Sequence, residues 1–333
     1  MFRSIIVPLD GSPLAARAVP LVVALADAAT TITLVGVADV WNDTYGTYGA
    51  AEEETLLRDL LARDLAAMAT PLRERGLSVR EEVRRGDAAT EILACAADQG
   101  ADLIAMTTHG RTGVARWVIG SVATRVLRGG AMPTLIVRPD AVQRPNADTA
   151  SIRTVIVPLD GSDRAAQSLA AARRVAEGCD ATIAVVRVVD DRWAYPVMTG
   201  MEVYASVYAP VAMADLRAEA ERDVQATAAH LRHCGFRATA TILVGDPAAQ
   251  LVDHIAAQED ALVVMSSHGR TGLDRWVFGS VAEKLIAHVH TPLLVLRANA
   301  VGAVPTPTQT EGEHIGMRTP VSQGAGERGG QKR

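Results

Sequence analysis

Residues 4–12 of the chain read SIIVPLDGS, and residues 154–162 read TVIVPLDGS. An apolar run that ends in Asp-Gly-Ser is typical of a buried strand followed at once by a tight turn. A longer pair repeats further along: residues 109–127 read HGRTGVARWVIGSVATRVL and residues 268–286 read HGRTGLDRWVFGSVAEKLI, and 12 of these 19 positions are identical. Because both motifs recur in the same order, the chain is predicted to contain a duplicated domain.

The spacing of the motifs predicts the domain boundaries. The two copies are offset by 150 residues at the first motif and by 159 at the second, so the second copy has nine extra residues, which we place between Asp190 and Asp215. Residues 139–151 are polar and contain two prolines, which is typical of a linker. The end of the chain is rich in Gly, Pro, Thr and Gln, which predicts a disordered tail. The predicted organisation is domain one at 1–138, a linker at 139–151, domain two at 152–297 and a tail at 298–333.

Short apolar runs alternate with helical patterns in each copy. In the first copy we expect a helix from Ser12 to about Ala29, kinked at Pro20, and helices at about 51–75, 88–97 and 120–128. The strands are predicted at 5–8, 31–38, 78–83, 103–107 and 134–137. This alternation predicts the α/β class, with two tandem Rossmann-like domains, each a five-stranded parallel sheet flanked by helices on both faces.

Composition and charge exclude several classes of function. The 333-residue chain has a formal net charge of −5, which argues against a protein that binds nucleic acid through a basic face. Lys284 and Lys332 are the only lysines, so no lysine is available for a Walker-type phosphate site in the first domain. No apolar stretch is long enough to span a membrane. The chain begins MFRSIIVPLDGS, in which the apolar run is too short for a signal peptide. The three cysteines are widely spaced and are predicted to be free thiols. Together these observations predict a cytoplasmic location.

Two features of each copy fall where a parallel sheet binds its ligands, at the carboxyl ends of the strands. Asp10-Gly11-Ser12 follows the first strand, and a glycine-rich connection from Thr107 to Gly120-Ser121 follows the fourth. A helix that opens at Gly-Ser presents unpaired backbone N–H groups and favours an anion such as phosphate, to which Arg111 can add a charge-assisted contact. From one copy alone, turn chemistry and helix capping explain the same residues. Recurrence of both features in the second copy favours a phosphate site.

These motifs resemble the universal stress protein family, with its V-P-x-D start and its G-x-x-G-x₉-G-[S/T] signature. The resemblance covers all but the linker and tail. It implies the adenine nucleotide alpha hydrolase-like form of the Rossmann fold and ATP as cofactor, with Mg²⁺ able to accompany it. It implies no catalytic residues and no resident metal. The nucleotide-binding residues it implies are Pro8, Asp10, Val37, Met106, Gly110, Arg111, Gly120, Ser121 and Val122 in the first copy, and Pro158, Asp160, Val188, Met265, Gly269, Arg270, Gly279, Ser280 and Val281 in the second.

The sequence departs from the family signature at its first glycine, which is Thr107 in one copy and Ser266 in the other. The resemblance also implies that the domains pair through their last strands, Thr134–Val137 and Pro292–Leu296, with a further pairing of two chains left open. The expected function is an ATP-binding regulator of stress or dormancy adaptation that is not an efficient enzyme. A slow ATPase or phosphotransferase and a nucleotide-free structural dimer remain the alternatives.

Three groups of residues have weaker interpretations. His109 and His268 are expected to be structural or solvent-facing, because neither has a catalytic or metal-ligand partner at a defined spacing. Trp117 and Trp276 are expected to pack the glycine-rich loops. Seven of the 12 aromatic residues follow the second strand of a copy. They are expected either to cover apolar surface, or to form a mobile lid over nucleotide or an interface between chains; they are Trp41, Tyr45, Tyr48, Trp193, Tyr195, Tyr204 and Tyr208.

Overall fold

The computed structural model describes residues 1–38, 50–108, 119–138, 150–191, 202–267 and 278–297. One compact unit spans Met1–Ala303 and contains both predicted domains. The boundary placed at 139–151 therefore stays a sequence prediction. Among the described helices, none is both long enough and apolar enough to cross a membrane.

The described elements alternate between strand and helix through both copies. The strands are β1 (Ser4–Pro8), β2 (Thr31–Ala38), β3 (Ser78–Arg85), β4 (Leu103–Thr107), β5 (Thr134–Val137), β6 (Thr154–Pro158), β7 (Thr182–Val189), β8 (Ala238–Val244), β9 (Ala261–Ser266) and β10 (Leu293–Leu296). The helices are α1 (Val19–Leu25), α2 (Ala50–Glu74), α3 (Ala88–Asp98), α4 (Ser121–Gly129), α5 (Asp163–Cys179), α6 (Glu202–His233), α7 (Pro247–Ala256) and α8 (Ser280–His288).

All ten of these strands form one sheet in the order β3-β2-β1-β4-β5-β10-β9-β6-β7-β8. Within each half the neighbouring strands are parallel, which confirms the predicted α/β fold. The halves meet where β10 runs antiparallel to β5, with Leu294 opposite Leu135. Each of these two short strands is buried along its whole length, so neither leaves an open sheet edge.

The hydrophobic core has two layers, one on each face of the sheet. Helices α1, α2, α5 and α6 contribute side chains to one layer, and α3, α4, α7 and α8 contribute to the other. Both layers contain residues from both halves, and the largest side chains that are fully buried are aliphatic, such as Ile5, Leu103, Leu135, Ile156 and Ile183. The core is therefore built mainly from aliphatic side chains, in agreement with the small number of aromatic residues in the sequence.

The predicted helix from Ser12 to Ala29 is wrong in its extent. A single 3-10 segment covers Ala15–Ala18, and Ser12 Oγ accepts a hydrogen bond from its first N–H at 3.2 Å. The α-helix begins only at Val19 and ends at Leu25. Pro20 lies in its first turn and does not kink it, since a proline lacks the N–H that this turn would leave unpaired anyway. The second half has Ala170 at the matching position, and α5 runs unbroken for 17 residues.

The extra residues of the second copy largely lengthen a helix. Helix α6 has 32 residues, whereas α2, its counterpart, has 25, and the two end at matching positions. Tyr204 and Tyr208, which the sequence placed after the second strand of the copy, lie in the first two turns of α6. The remaining aromatic residues of that group lie outside the described residues, as do Trp117, Trp276, His109 and His268; the group's other members are Trp41, Tyr45, Tyr48, Trp193 and Tyr195.

An ion pair between Arg174 and Asp102 joins the two halves, and the duplicated sequence has no charged residues at the matching positions. Arg174 of α5 donates to the carboxylate of Asp102, donates from Nε to the Met1 carbonyl at 2.9 Å, and lies 4.5 Å from the centroid of the Phe2 ring. In the duplicated sequence the positions that match Arg174 and Asp102 are Ala24 and Ala261. The contact between the halves is therefore asymmetric in chemistry although the fold repeats.

Candidate functional site

Each half has a cavity at the carboxyl ends of its parallel strands. The cavity of the first half measures about 480 Å³ and that of the second about 430 Å³, within the usual range for small-ligand sites. In each case the first strand, the second strand and the fourth strand of the half contribute lining residues, together with the first turn of the helix that follows the fourth strand. We call these the first cavity and the second cavity.

The structure brings most of the predicted site residues together in these cavities. The first cavity is lined by Pro8, Asp10, Val37, Met106, Gly120, Ser121 and Val122. The second is lined by Pro158, Asp160, Val188, Met265, Gly279, Ser280 and Val281. The other four predicted residues, Gly110, Arg111, Gly269 and Arg270, lie outside the described residues.

The aspartate after each first strand is held by a local turn. Asp10 Oδ1 accepts the Ser12 N–H at 2.9 Å, and Asp160 Oδ1 accepts both the N–H and the hydroxyl of Ser162, at 3.0 and 2.6 Å. The intervening glycines, Gly11 and Gly161, have φ values of 79° and 81°, which L residues rarely adopt. The Asp-Gly-Ser turn thus holds a carboxylate at the wall of each cavity.

The glycine-rich connection is tied at both of its ends. In the first half the Gly120 N–H donates to the Thr108 carbonyl at 2.8 Å, while the Thr108 N–H donates to Val137 of β5. In the second half the Gly279 N–H donates to the Ser267 carbonyl at 2.9 Å in the same way. These bonds bring the end of the fourth strand and the start of the following helix to one rim of the cavity.

The helices at that rim begin without a side-chain cap. Gly120 and Gly279 are the N-caps of α4 and α8, and neither helix has a capping hydrogen bond from a side chain. The neighbouring helices α3 and α7 are capped by Asp87 and Asp246, each of which accepts a backbone N–H. Within the described part of the chain, no N-cap side chain accepts the first-turn N–H groups of α4 and α8, so these helix starts suit an anion in the cavity.

Thr107 and Ser266, which replace the first glycine of the family signature, line their cavities beside the buried methionines. Each therefore adds a hydroxyl-bearing side chain where the family signature has none.

Sequence reasoning missed lining residues that come from the helices covering the sheet. Leu61 of α2 and Ile92 of α3 close the first cavity, and Leu216 and Ala220 of α6 close the second. Arg187 of β7 also lines the second cavity. Successive side chains of a strand point to opposite faces, so Arg187 projects from the face of β7 that α6 covers, opposite to Val188, and no motif marked it.

Comparisons with known proteins agree on the family. The model of the universal stress protein family matches the chain twice, at residues 1–138 and 151–297. Universal stress protein Rv2005c of Mycobacterium tuberculosis is 24% identical over 258 residues, covering 78% of this chain and 79% of that protein. Universal stress protein MJ0531 of Methanocaldococcus jannaschii is 27% identical over 147 residues, covering 44% of this chain and 82% of that protein.

A solved structure supports the fold over nearly the whole chain. The universal stress protein from Archaeoglobus fulgidus aligns with a TM-score of 0.63 at 16% identity, covering 89% of this chain and 98% of its own. With two family matches in tandem, a shared fold and the repeated motifs, this chain belongs to the universal stress protein family.

Proposed function

We propose that this chain binds ATP in its two cavities and acts as a nucleotide-responsive regulator, without efficient catalysis. The observation that carries the proposal is the uncapped, glycine-started helix at the rim of each cavity. In both halves this helix faces a cavity of nucleotide size across from an aspartate that a turn holds in place. Backbone donors at α4 and α8 suit the phosphates, and Asp10 and Asp160 suit the ribose hydroxyls.

The donors suit holding a phosphate rather than transferring it. Helix N–H groups and serine hydroxyls bind a phosphate oxygen without supplying a proton acceptor for an attacking water. Lys284, the one lysine among the described residues, lies on α8 with its Nζ 3.8 Å from Asp246. Any Mg²⁺ would accompany the nucleotide. We infer that occupancy of the cavities, not turnover, is the signal the protein delivers, in stress or dormancy adaptation.

We place the protein in the cytoplasm, where its three cysteines would stay reduced. Cys95, Cys179 and Cys234 are free thiols, of which Cys95 is buried and Cys234 is exposed. We also propose that the β5–β10 pairing is the working arrangement of the two halves, since it buries both short strands. A further pairing between two chains is a proposal that sedimentation of the purified protein tests.

Isothermal titration with ATP tests the proposed function. Ser121→Glu and Ser280→Glu each place a carboxylate in the first turn of α4 or α8, where it suits the helix but repels phosphate. We expect each single variant to lose one of two binding sites and the double variant to lose both. Ser121→Gln and Ser280→Gln, which match the size without the charge, serve as controls.

Absence of ATP binding by the unmodified protein would overturn the proposal. Binding that persists undiminished in the double glutamate variant would move the site elsewhere. A steady-state assay separates the regulator from an enzyme: many turnovers per minute, lost in the double variant, would favour the ATPase.

A further inference from the structure

The two cavities differ at one wall, although their motifs are nearly identical. Strand registers define the matching positions: Pro8 lies opposite Val35 in the first half, and Pro158 lies opposite Val186 in the second. The next residue along is glycine in the first half and arginine in the second, at Gly36 and Arg187. The difference therefore follows from the strand pairing itself and does not depend on how the repeats are aligned.

The covering helix compensates for this difference in size. A Cβ at Gly36 would lie 3.4 Å from the Cβ of Leu61, so the large leucine of α2 sits directly over the glycine. In the second half the residue that matches Leu61 is Ala220, which is small enough to leave space beside Arg187. This wall of the first cavity is therefore apolar, whereas the same wall of the second cavity is lined by an arginine, Arg187.

Arg187 is held by a carboxylate that both halves possess. Its Nη1 donates to Asp223 of α6; the arginine side chain is only 12% exposed, whereas that of Asp223 is 55% exposed. The residue that matches Asp223 in the first half is Asp64, which is exposed on α2. The aspartate is thus present on both α2 and α6. At the matching wall position, however, only the second half has a cation, Arg187, where the first half has Gly36.

We propose that Arg187 makes the second cavity a distinct, higher-affinity site for phosphate-bearing ligands, and that Asp223 competes with the ligand for the same guanidinium. The proposal rests on the proposed function and specifies how its two sites differ. A guanidinium has five N–H donors in a fixed fork and binds phosphate oxygens well when most of its surface is withdrawn from water. Asp223, being more than half exposed, is stabilised by water when the arginine turns to the ligand.

If Asp223 competes with the ligand for Arg187, replacing Arg187 and replacing Asp223 should change the ATP affinity in opposite directions. Titrations with ATP would be made on the full chain with Ser121→Glu, so that only the second cavity binds. In that background we expect Arg187→Ala to weaken ATP binding about tenfold or more, as the loss of a hydrogen bond to a charged group does. Asp223→Asn is expected to strengthen it, because the competing charge is gone. Asp64→Asn, the matched change in the first half, should leave the affinity unchanged.

Two further measurements separate charge from packing. Arg187→Gly together with Ala220→Leu rebuilds the wall of the first cavity, and it should lower the affinity as far as Arg187→Ala does while the wall stays filled. Adenosine, which lacks phosphate, should bind the unmodified background and the Arg187→Ala variant equally. Thermal unfolding of each variant shows that the fold is retained.

Several results would overturn the inference while leaving the proposed function standing. ATP affinity unchanged by Arg187→Ala, weakening by both Arg187→Ala and Asp223→Asn, or an equal loss of adenosine affinity would each show that the ion pair is structural. If the unmodified chain bound no ATP at all, the proposed function itself would fail, which is a different outcome.

Discussion

Replacing Arg174 by alanine should lower the free energy of unfolding by roughly 2–4 kcal/mol, because this residue ties the second half to the first. Its guanidinium contacts Asp102, the Met1 carbonyl and the face of Phe2. The side chains of Arg174 and Asp102 are 21% and 17% exposed, so solvent screens the pair only partly.

The magnitude follows from the contacts that are lost. A hydrogen bond to a charged group contributes about 1.5–3 kcal/mol, and a partly desolvated cation–π contact about 1–2 kcal/mol. Asp102 keeps the backbone N–H groups of Arg3 and Ser4 as donors, at 3.1–3.2 Å. Because its charge stays partly solvated by these donors, the loss falls below the upper end of the range of about 3–5 kcal/mol typical of breaking a buried ion pair.

Urea unfolding of a double-mutant cycle measures the pair directly. The variants are Arg174→Ala, Asp102→Ala and the double change, and we expect a coupling energy of about 1–2.5 kcal/mol. The pair Arg237–Asp180, whose side chains are 59% and 93% exposed, is the matched control, with an expected coupling below about 0.5 kcal/mol. If the Arg174–Asp102 coupling were no larger than that of the control, the reasoning that this contact holds the halves together would be refuted.

Three further predictions concern acid stability, backbone strain and thiol reactivity. Hydrogen bonds from Arg125 and the first turn of α3 hold the pKa of Asp87 well below its ordinary value of 3.8. The stability that the ionised Asp87 gives the folded protein is therefore fully present above pH 3.8 and is lost as the pH falls below it. Asp87→Asn should therefore reduce the loss of stability that occurs as the pH falls below about 4, which urea unfolding at each pH measures. Gly86 has a φ of 135°, and Gly86→Ala should cost about 1–3 kcal/mol of unfolding free energy, measured in urea. Burial raises the pKa of Cys95 to about 11, so a thiol reagent at pH 8 should modify exposed Cys234 first and Cys95 only on unfolding.

Each of these has a control or an opposing outcome. An acid transition of Asp87→Asn as steep as that of the unmodified protein would contradict the role of its pair with Arg125. Gly36→Ala is the control for backbone strain, because Gly36 has no positive φ and the added Cβ would make only ordinary contacts; equal losses at Gly36 and Gly86 would contradict the strain argument. Modification of Cys95 at the rate of Cys234 in the folded protein would contradict its burial.

Much of the fold could be predicted from local patterns. The run IIVP, the alternation of strands and helices and the recurrence of Asp-Gly-Ser all identify, for each copy, a set of parallel strands that end at one edge. Each half of the structure has such a set, and the two sets join antiparallel at β5 and β10. The helix after β1 shows the limit, since Ser12-Pro13 and an apolar period suggest a longer helix than the one that forms. Pro20 removes the N–H that a continuous helix would need at this point, so the chain makes a 3-10 segment first.

The candidate site divides in the same way between sequence and structure. Asp10 and Gly120-Ser121 were identified because turn and helix-start chemistry has a short, local signature. Leu61 and Ala220 were not, because they reach the cavity from helices whose position depends on packing against the sheet. The strand alternation alone gave no reason to single out Arg187, whose interest appears only when Gly36 is seen beneath Leu61.

The amino-acid sequence by itself determined the duplication, the strand and helix order, and the residues that meet at the strand ends, because each follows from periodicity and from local backbone preference. Only the tertiary structure decided that the two repeats differ in chemistry. Arg174 and Asp102 are 72 residues apart in sequence, and Arg187 and Asp223 are 36 apart. Strand register and helix packing bring each pair together. Such contacts have no local signature, because they arise from the burial of separate segments against one sheet.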